Sequence, residues 1–170
     1  GAATVVVGNA YVTGSAPDFV YTGTASTLDA ARLLCDGAAC APSTIPTDCT
    51  NPGVPTGLFT ASVTEAGVTD QPGPDASILA EVGRGSQGWS PTASPDFYHW
   101  SPATFSADDA GSHVYEGALT PPGYGTFVVT FRFSDDGGVN WIYADSTGAA
   151  PPAVVDMGQL DVVPTSVPCP

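Results

Sequence analysis

The chain has 170 residues and a formal net charge of −14, from 3 Lys+Arg against 17 Asp+Glu, and this length suits one domain or one domain with an extra arm. The three basic residues are Arg32, Arg84 and Arg132, so the sequence contains no lysine. Such an acidic surface repels phosphate backbones and anionic lipid, which excludes nucleic acid and a polybasic membrane role. The missing lysine excludes a Schiff-base nucleophile and a phosphate-binding G-K-S/T loop. At 42% hydrophobic residues, the chain is too apolar to be disordered.

Residues 1–50 are interpreted as an N-terminal arm that begins with an apolar strand. Its apolar side chains occupy both alternating faces, which is typical of a strand buried on two sides or inserted into a groove. Such a strand either completes its own sandwich or acts as an assembly strand that pairs with a neighbouring copy. The assembly-strand residues are Val5, Val6, Val7, Tyr11 and Val12.

One short helix is predicted inside this arm. Ser26 is placed to cap it, and Asp29 follows three residues later as the acid of a capping box. Leu28, Ala31 and Cys35 share one face at helical spacing, and Asp36-Gly37 would end the helix. Residues 51–56 then form a connector rich in Pro and Thr.

The four cysteines, Cys35, Cys40, Cys49 and Cys169, indicate the compartment. Their spacing fits neither a zinc ribbon nor a redox C-x-x-C motif, so two disulfides are predicted and no metal site. Disulfides imply an oxidising environment, that is, a secreted or cell-surface protein. Four cysteines allow three pairings, and all three remain open. Any of them ties the C-terminal tail, residues 166–170, to the region around Cys35–Cys49.

Residues 57–165 alternate between apolar and polar side chains with a period of two. The strongest run places Phe127, Val129, Phe131 and Phe133 on one face, and a last strand runs from Val155 to Val162 with a bulge expected at Gly158. About seven short strands separated by Gly, Pro and Asp turns predict an all-β, antiparallel β-sandwich. No segment reaches the ~18 consecutive apolar residues that a membrane helix needs.

The turn between the two best strands carries a recognisable motif. Ser134, Asp136, Gly138 and Trp141 match the pattern S-x-D-x-G-x-x-W and resemble an Asp box, with Asn140 standing where Ser or Thr is usual. The Asp box is interpreted as a structural hairpin, in which the aspartate accepts hydrogen bonds from turn amides. Sialidases, which also carry such boxes, have several of them and an arginine triad, and this chain does not fit that pattern.

A wider resemblance covers about residues 57–147. Within it, residues 131–145 match "aromatic-R-F-S-x-D-G-G-x-x-W-x-Y-x-D", which is similar to the immunoglobulin/fibronectin-III-like modules of bacterial secreted and surface proteins. The resemblance implies an extracellular, non-catalytic sandwich. The function expected is therefore structural or adhesive, through self-association or contact with other surface proteins, and a filament subunit is one form of it.

The sequence leaves three alternatives to a structural role. Catalysis is not expected, because no G-x-S-x-G elbow is present and His99 and His113 lie on strand-like segments. Carbohydrate binding would use Trp89, Tyr98 and Trp100 as stacking surfaces, although the inner face of the sandwich is the competing position for Tyr98 and Trp100. Calcium is the one cofactor considered, since turn aspartates could supply oxygen ligands. These aspartates are Asp70, Asp75, Asp108, Asp109, Asp135, Asp136 and Asp145.

Overall fold

The computed structural model describes residues 28–169 in full, and residues 2–7 and 10–15 as strand backbone. Within these residues the protein is all-β, as predicted, and helical turns are limited to the 3-10 segments Pro95–Phe97 and Val154–Asp156. The strands are β1 Ala2–Val7, β2 Ala10–Ser15, β3 Ala30–Cys35, β4 Ala38–Ala39, β5 Thr47–Thr50, β6 Phe59–Thr64, β7 Leu79–Ser86, β8 Tyr98–Pro102, β9 Thr104–Asp109, β10 Ser112–Gly117, β11 Gly125–Ser134, β12 Ile142–Tyr143 and β13 Gly158–Val162.

Two sheets form the body of the protein, consistent with the predicted sandwich. The first has the order β4-β3-β6-β10-β9, and the second has the order β5-β13-β11-β7-β8, with β12 paired to β11. Neighbouring strands are antiparallel except β5 and β13, which are parallel. Strand β11 is the centre of the second sheet and pairs with β7 over eight residues, from Phe127↔Ser86 to Ser134↔Leu79.

The hydrophobic core contains side chains from both sheets. Val129, Phe131 and Phe133 on β11 are fully buried, and Phe127 packs against the same core, which confirms the predicted apolar face. Val128 and Thr130, in the other phase of the strand, are buried too. From the first sheet, Leu33 joins them with no exposed surface. Burial of such a side chain contributes roughly 1.5–3 kcal/mol each, so this run is a main source of stability.

The predicted helix is wrong in the residues that can be compared, because Ala30–Cys35 is a strand. It pairs antiparallel with β6, with Leu33 opposite Ala61. Asp29 caps no helix; its carboxylate accepts a hydrogen bond from the Ala66 amide at 3.1 Å. Pairing with β6 and burial of alternate residues outweigh the weak helical preference of Ala-Ala-Arg-Leu-Leu.

The expected helix stop, Asp36-Gly37, is a hairpin turn between β3 and β4. Both residues have positive φ, 52° and 79°, as a tight two-residue turn requires. Ser26, the proposed cap, lies outside the described residues.

The structure divides the chain differently from the boundary at residue 50. Strands β3, β4 and β5 precede that boundary, yet they pair within the two sheets. The sandwich therefore includes eleven strands in the described residues rather than about seven, and residues 30–50 belong to it.

The last predicted strand is also shorter than expected. Val155 lies in a 3-10 turn, and β13 begins at Gly158 opposite Val129. A Cβ at Gly158 would lie 3.1 Å from the Pro46 carbonyl oxygen, so this glycine permits a close approach of β13 to the chain before β5. A register shift occurs instead in β10, between Val114 and Tyr115.

The first two strands form a separate two-stranded sheet in the described residues. They are antiparallel, with Val5 opposite Val12 and Val6 opposite Tyr11. Where the sequence suggested one apolar strand, the backbone therefore forms two paired strands. Whether they act as assembly strands stays a prediction.

Two disulfides join the four cysteines, as predicted, and the structure selects one of the three pairings. Cys35 pairs with Cys40, and Cys49 pairs with Cys169 across 120 residues of chain. Two structural disulfides point to an oxidising environment of the kind found outside the cell. Among the described residues, none of the helical segments is long and apolar enough to span a membrane.

Candidate functional site

The 134–141 hairpin is organised by the Asp136 carboxylate. Its Oδ1 accepts hydrogen bonds from the amides of Val139 at 3.0 Å and Asn140 at 2.9 Å, and Ser134 Oγ donates to the same oxygen at 2.7 Å. Ser134 Oγ in turn accepts the Gly138 amide at 2.9 Å. Burial raises the pKa of Asp136, but these donors, Asn140 first, outweigh it and hold the pKa below its ordinary value. The predicted role of the aspartate as a turn acceptor thus has a geometric basis.

Asn140 supports the same turn at the position where an Asp box usually has Ser or Thr. Its side-chain amide donates to Asp136 Oδ2 at 2.6 Å. Asn140 therefore supplies a side-chain donor to the network from this position.

Trp141 lies on the outer face of the second sheet, where it stacks on a guanidinium. The Arg132 carbon Cζ lies 4.1 Å from the Trp141 ring centroid and 4.2 Å from that of Trp100. Arg132 is thus held between two indoles, an arrangement that favours a cation electrostatically. Tyr98 extends the stack, 5.4 Å from Trp100 between ring centroids. We call Tyr98, Trp100, Arg132 and Trp141 the aromatic–arginine ladder.

The ladder also has an ion pair at its centre. Arg132 Nε donates to Glu81 Oε2 at 2.6 Å, and its terminal nitrogen lies 2.5 Å from the same oxygen. The two residues face each other across β7 and β11. A paired guanidinium stacked on two rings is strongly restrained, so Arg132 holds β8 and the 134–141 hairpin together.

Two glycines in β7 make room for the ladder. Gly83 faces Trp100 and Gly85 faces Tyr98 in the β7–β8 register. A Cβ on Gly83 would overlap the Trp100 ring, and one on Gly85 would lie 2.5 Å from the Tyr98 ring. Both rings therefore lie flat across β7, as strand glycines allow when a neighbouring group approaches closely.

The β7–β8 register shows that Trp100 does not lie on the inner face of the sandwich, the alternative position considered from the sequence. Gly83 alternates with Val82, which is fully buried in the core. Trp100, beside Gly83, is therefore on the outer face and is half-buried. Tyr98 lies on the same face but is only 5% exposed, and burial, with a smaller effect from Tyr143, raises its pKa to about 12.

Trp89 and Phe97 form a second, exposed aromatic pair beside β8. Their ring centroids are 4.5 Å apart, and their side chains are 46% and 55% exposed. The Tyr98 hydroxyl donates to the Trp89 carbonyl at 2.8 Å, which fixes the loop that carries Trp89. Of the three residues proposed for carbohydrate stacking, Trp89 is the accessible one, Trp100 is half-covered, and Tyr98 serves as support.

A groove of about 500 Å³ separates the ladder from the chain before β8. Its lining combines ring surfaces with one carboxylate and small residues. The lining residues that matter here are Asp96, Trp100, Arg132, Trp141 and Tyr143.

Several of the aspartates considered for calcium accept hydrogen bonds from turn residues. Asp75 accepts the Ser77 amide at 2.7 Å, and Asp108 accepts the Gly73 amide at 3.0 Å. Asp145 is fully buried and accepts five hydrogen bonds from residues 147–153. In the part of the chain that the structure describes, no cluster of three or more His, Cys, Asp or Glu side chains could hold a metal ion.

The two histidines lie on different sheets. His99 is exposed on β8, whereas His113 is 1% exposed on β10, with Nε2 3.0 Å from the Gln71 carbonyl and 3.5 Å from Asp108. Phe105 packs edge-on against the His113 ring at 5.3 Å. His113 therefore has a structural position between a loop and the sheet.

Sequence reasoning missed Arg132 and Tyr143 as partners of the Trp residues. The signal was present: Arg132 falls in the outward phase of β11, and Gly83 and Gly85 occupy the outward phase of β7. Paired glycines two residues apart in a strand indicate a close approach from the next strand. Which aromatic side chains fill that space depends on register, which the sequence does not show.

Comparison with known proteins gave no relative on which to base an assignment. No protein-family model matches the chain, and no curated protein matches it either.

Proposed function

We propose that this protein is a non-catalytic, extracellular component of a bacterial surface assembly, with a structural or adhesive role, and that residues 2–15 join one copy to the next. The main support is the pairing of β1 and β2 with each other as a sheet distinct from both sheets of the sandwich. A two-stranded sheet is marginally stable alone in water and gains stability when further strands or a surface cover it. A neighbouring copy would provide such cover.

Charge favours the same segment as the contact. Residues 1–17 contain no Asp, Glu, Lys or Arg, whereas the whole chain has a net charge of −14. Two copies repel each other over most of their surfaces, and an uncharged segment is the part that can approach at the lowest electrostatic cost. Assembly should therefore strengthen as added salt screens the remaining charge.

The fold type proposed is immunoglobulin/fibronectin-III-like. Two sheets around one core, antiparallel except for the β5–β13 pair, and the Asp136 hairpin support it.

The arginines also suit prolonged exposure outside a cell. Arg32 donates to the Thr147 carbonyl at 2.7 Å, Arg84 is buried over the Phe127 ring, and Arg132 is in the ladder, so trypsin-type proteases find few accessible basic sites.

Deletion of residues 1–15 tests the assembly. We expect light scattering and electron microscopy to show assemblies for the full chain and a folded monomer for the truncated one. As a finer test, Val6→Asp places a charge in β1, and Val155→Asp places the same charge at a side chain that is 82% exposed. The first should weaken assembly, and the second should leave it unchanged. Equal assembly of truncated and full chains would contradict the proposal.

Carbohydrate binding is the second candidate, and one observation favours it. Trp89 and Phe97 present exposed, stacked rings, and sugar rings pack on exposed aromatic faces. We expect polysaccharides to quench tryptophan fluorescence in the native protein and not in Trp89→Ala. Tyr124→Ala is the matched control, because Tyr124 is 66% exposed and outside the aromatic groups described above. Quenching that survives in Trp89→Ala would remove this candidate.

A further inference from the structure

The Cys49–Cys169 disulfide encloses most of the sandwich in one covalent loop. The two Cα atoms are 5.6 Å apart although 120 residues separate the cysteines in sequence. Cys49 lies within β5, and strands β6 to β13 all fall between the two cysteines. Eight strands, including the whole of β11 and β7 at the centre of the second sheet, are thus inside the loop.

A different set of strands lies outside this loop. Strands β1 to β4 precede Cys49. The second disulfide, Cys35–Cys40, closes only a five-residue separation at the β3–β4 turn. A path along covalent bonds from the N-terminus to the C-terminus can therefore cross from Cys49 to Cys169 without entering residues 50–168.

We infer that the protein has a mechanical function: the Cys49–Cys169 disulfide transmits tension between the two ends of the chain and leaves strands β6 to β13 unloaded. The inference gains biological meaning from the proposed function, since copies joined through their N-terminal strands in a surface assembly would be pulled along the chain. Tension enters the disulfide loop at Cys49 and leaves it 5.6 Å away, between Cα atoms, at Cys169. Because the disulfide holds the two ends of the loop together, tension does not pull apart strands β6 to β13.

The segment before Cys49 is the part that yields under tension. Strand β3 is held to β6 by a five-residue register, from Ala30↔Thr64 to Leu34↔Thr60. Further contacts tie it to the loop after β12, where the Leu33 amide donates to the Asp145 carbonyl at 2.8 Å. Among the described residues, its other neighbour in the sheet is the two-residue strand β4. Detachment of β3 would lengthen the chain while the loop stays folded.

The expected lengths separate these events clearly. An extended chain spans about 3.5 Å per residue, so release of the 120-residue loop adds roughly 400 Å. Release of residues 28–48, with the Cys35–Cys40 ring intact, adds roughly 60 Å by the same measure. Opening the small ring itself adds only about 13 Å by the same measure, because its ends are already 4.9 Å apart.

Single-molecule force spectroscopy on the full chain, tethered at its two ends, tests the inference. The oxidised protein should lengthen by the short extension of the segment before Cys49 and show no gain near 400 Å. The variant Cys49→Ser/Cys169→Ser should gain roughly 400 Å in contour length. Cys35→Ser/Cys40→Ser is the matched control, because it removes one disulfide as well and should gain only about 13 Å.

A gain near 400 Å in the oxidised native chain would overturn the inference, as would equal gains in the two double variants. Contour length at high force does not depend on whether a variant folds, and reductant added to the native chain under tension gives the same comparison without mutation. Because single molecules are pulled, the result is independent of assembly. A monomeric native chain that shows the expected lengths would contradict the proposed assembly and leave the mechanical inference standing.

Discussion

Two aspartates, Asp136 and Asp145, organise successive turns of the chain in different ways. Asp136 is half-buried, and the hydrogen bonds of its carboxylate come from residues 134–140. Asp145 has no exposed surface, and its two carboxylate oxygens accept donors spread over residues 147–153. In addition, the Asp145 carbonyl accepts the Leu33 amide of the first sheet.

The difference shows two ways in which a carboxylate can stabilise a turn. Asp136 replaces water as the acceptor for a local set of amides, and the turn stays near the surface. Asp145 is a buried acceptor at a junction where β3 meets the loop that follows β12. The backbones of Arg32 and Asp145 also pair there in an isolated parallel β-bridge. Water can replace the lost acceptor more readily at the half-buried Asp136 than at Asp145, whose side chain has no exposed surface.

The largest expected effect comes from removal of the buried carboxylate. Asp145→Ala should lower the free energy of unfolding by roughly 3–5 kcal/mol, because it removes a fully buried carboxylate that accepts five hydrogen bonds. Asp136→Ala should cost about 1–2 kcal/mol, since the Asp136 side chain is only half-buried and water can replace part of the lost acceptor. Urea denaturation followed by far-UV circular dichroism measures both. Equal losses would mean that burial does not separate the two turns.

The sequence predicted the more local of these two turns. The motif from Ser134 to Trp141 is contiguous, and its hydrogen bonds join residues within a few positions of each other. The all-β class and the inward phase of β11 followed in the same way from a two-residue period. The mistaken helix at residues 28–35 and the missed junction at Asp145 share one cause. Both depend on contacts far away in sequence, of β3 with β6 and of Leu33 with Asp145.

The site shows the same limit. The two-residue alternation predicted that Arg132 and the Phe residues lie on opposite faces of β11. The positions of Trp100 and Trp141 on either side of Arg132 depend on the β7–β8 register and on the path of the chain after the 134–141 hairpin. Register follows from the assembled sheet.

A second prediction concerns how the Asp136 turn is held to the sheet. Gly83→Ala places a methyl group where the Trp100 ring lies, so the ladder must shift and release Arg132 and Trp141. We expect a loss of about 1–3 kcal/mol in the free energy of unfolding, as for other overpacked sites, together with a red shift of tryptophan emission. Gly123→Ala is the matched control, because a Cβ there meets no atom within 4 Å. An unchanged emission spectrum in Gly83→Ala would show that the ladder does not depend on this glycine.

The smallest expected effect is a pH dependence that belongs to Asp136 alone. Hydrogen bonds from Asn140, Ser134 and Val139 lower its pKa below the ordinary value of 3.8 despite the opposing effect of burial. A carboxyl group whose pKa is lower in the folded state stabilises the fold above its unfolded pKa, and this contribution is lost as the pH falls through the folded pKa. The difference in unfolding free energy between the native chain and Asp136→Asn should therefore be constant near neutral pH and shrink below about pH 4. Because the other 16 of the 17 acidic residues titrate in both proteins, the difference isolates Asp136. A difference that stays constant down to pH 2 would show that the ionised carboxylate is not what these donors stabilise.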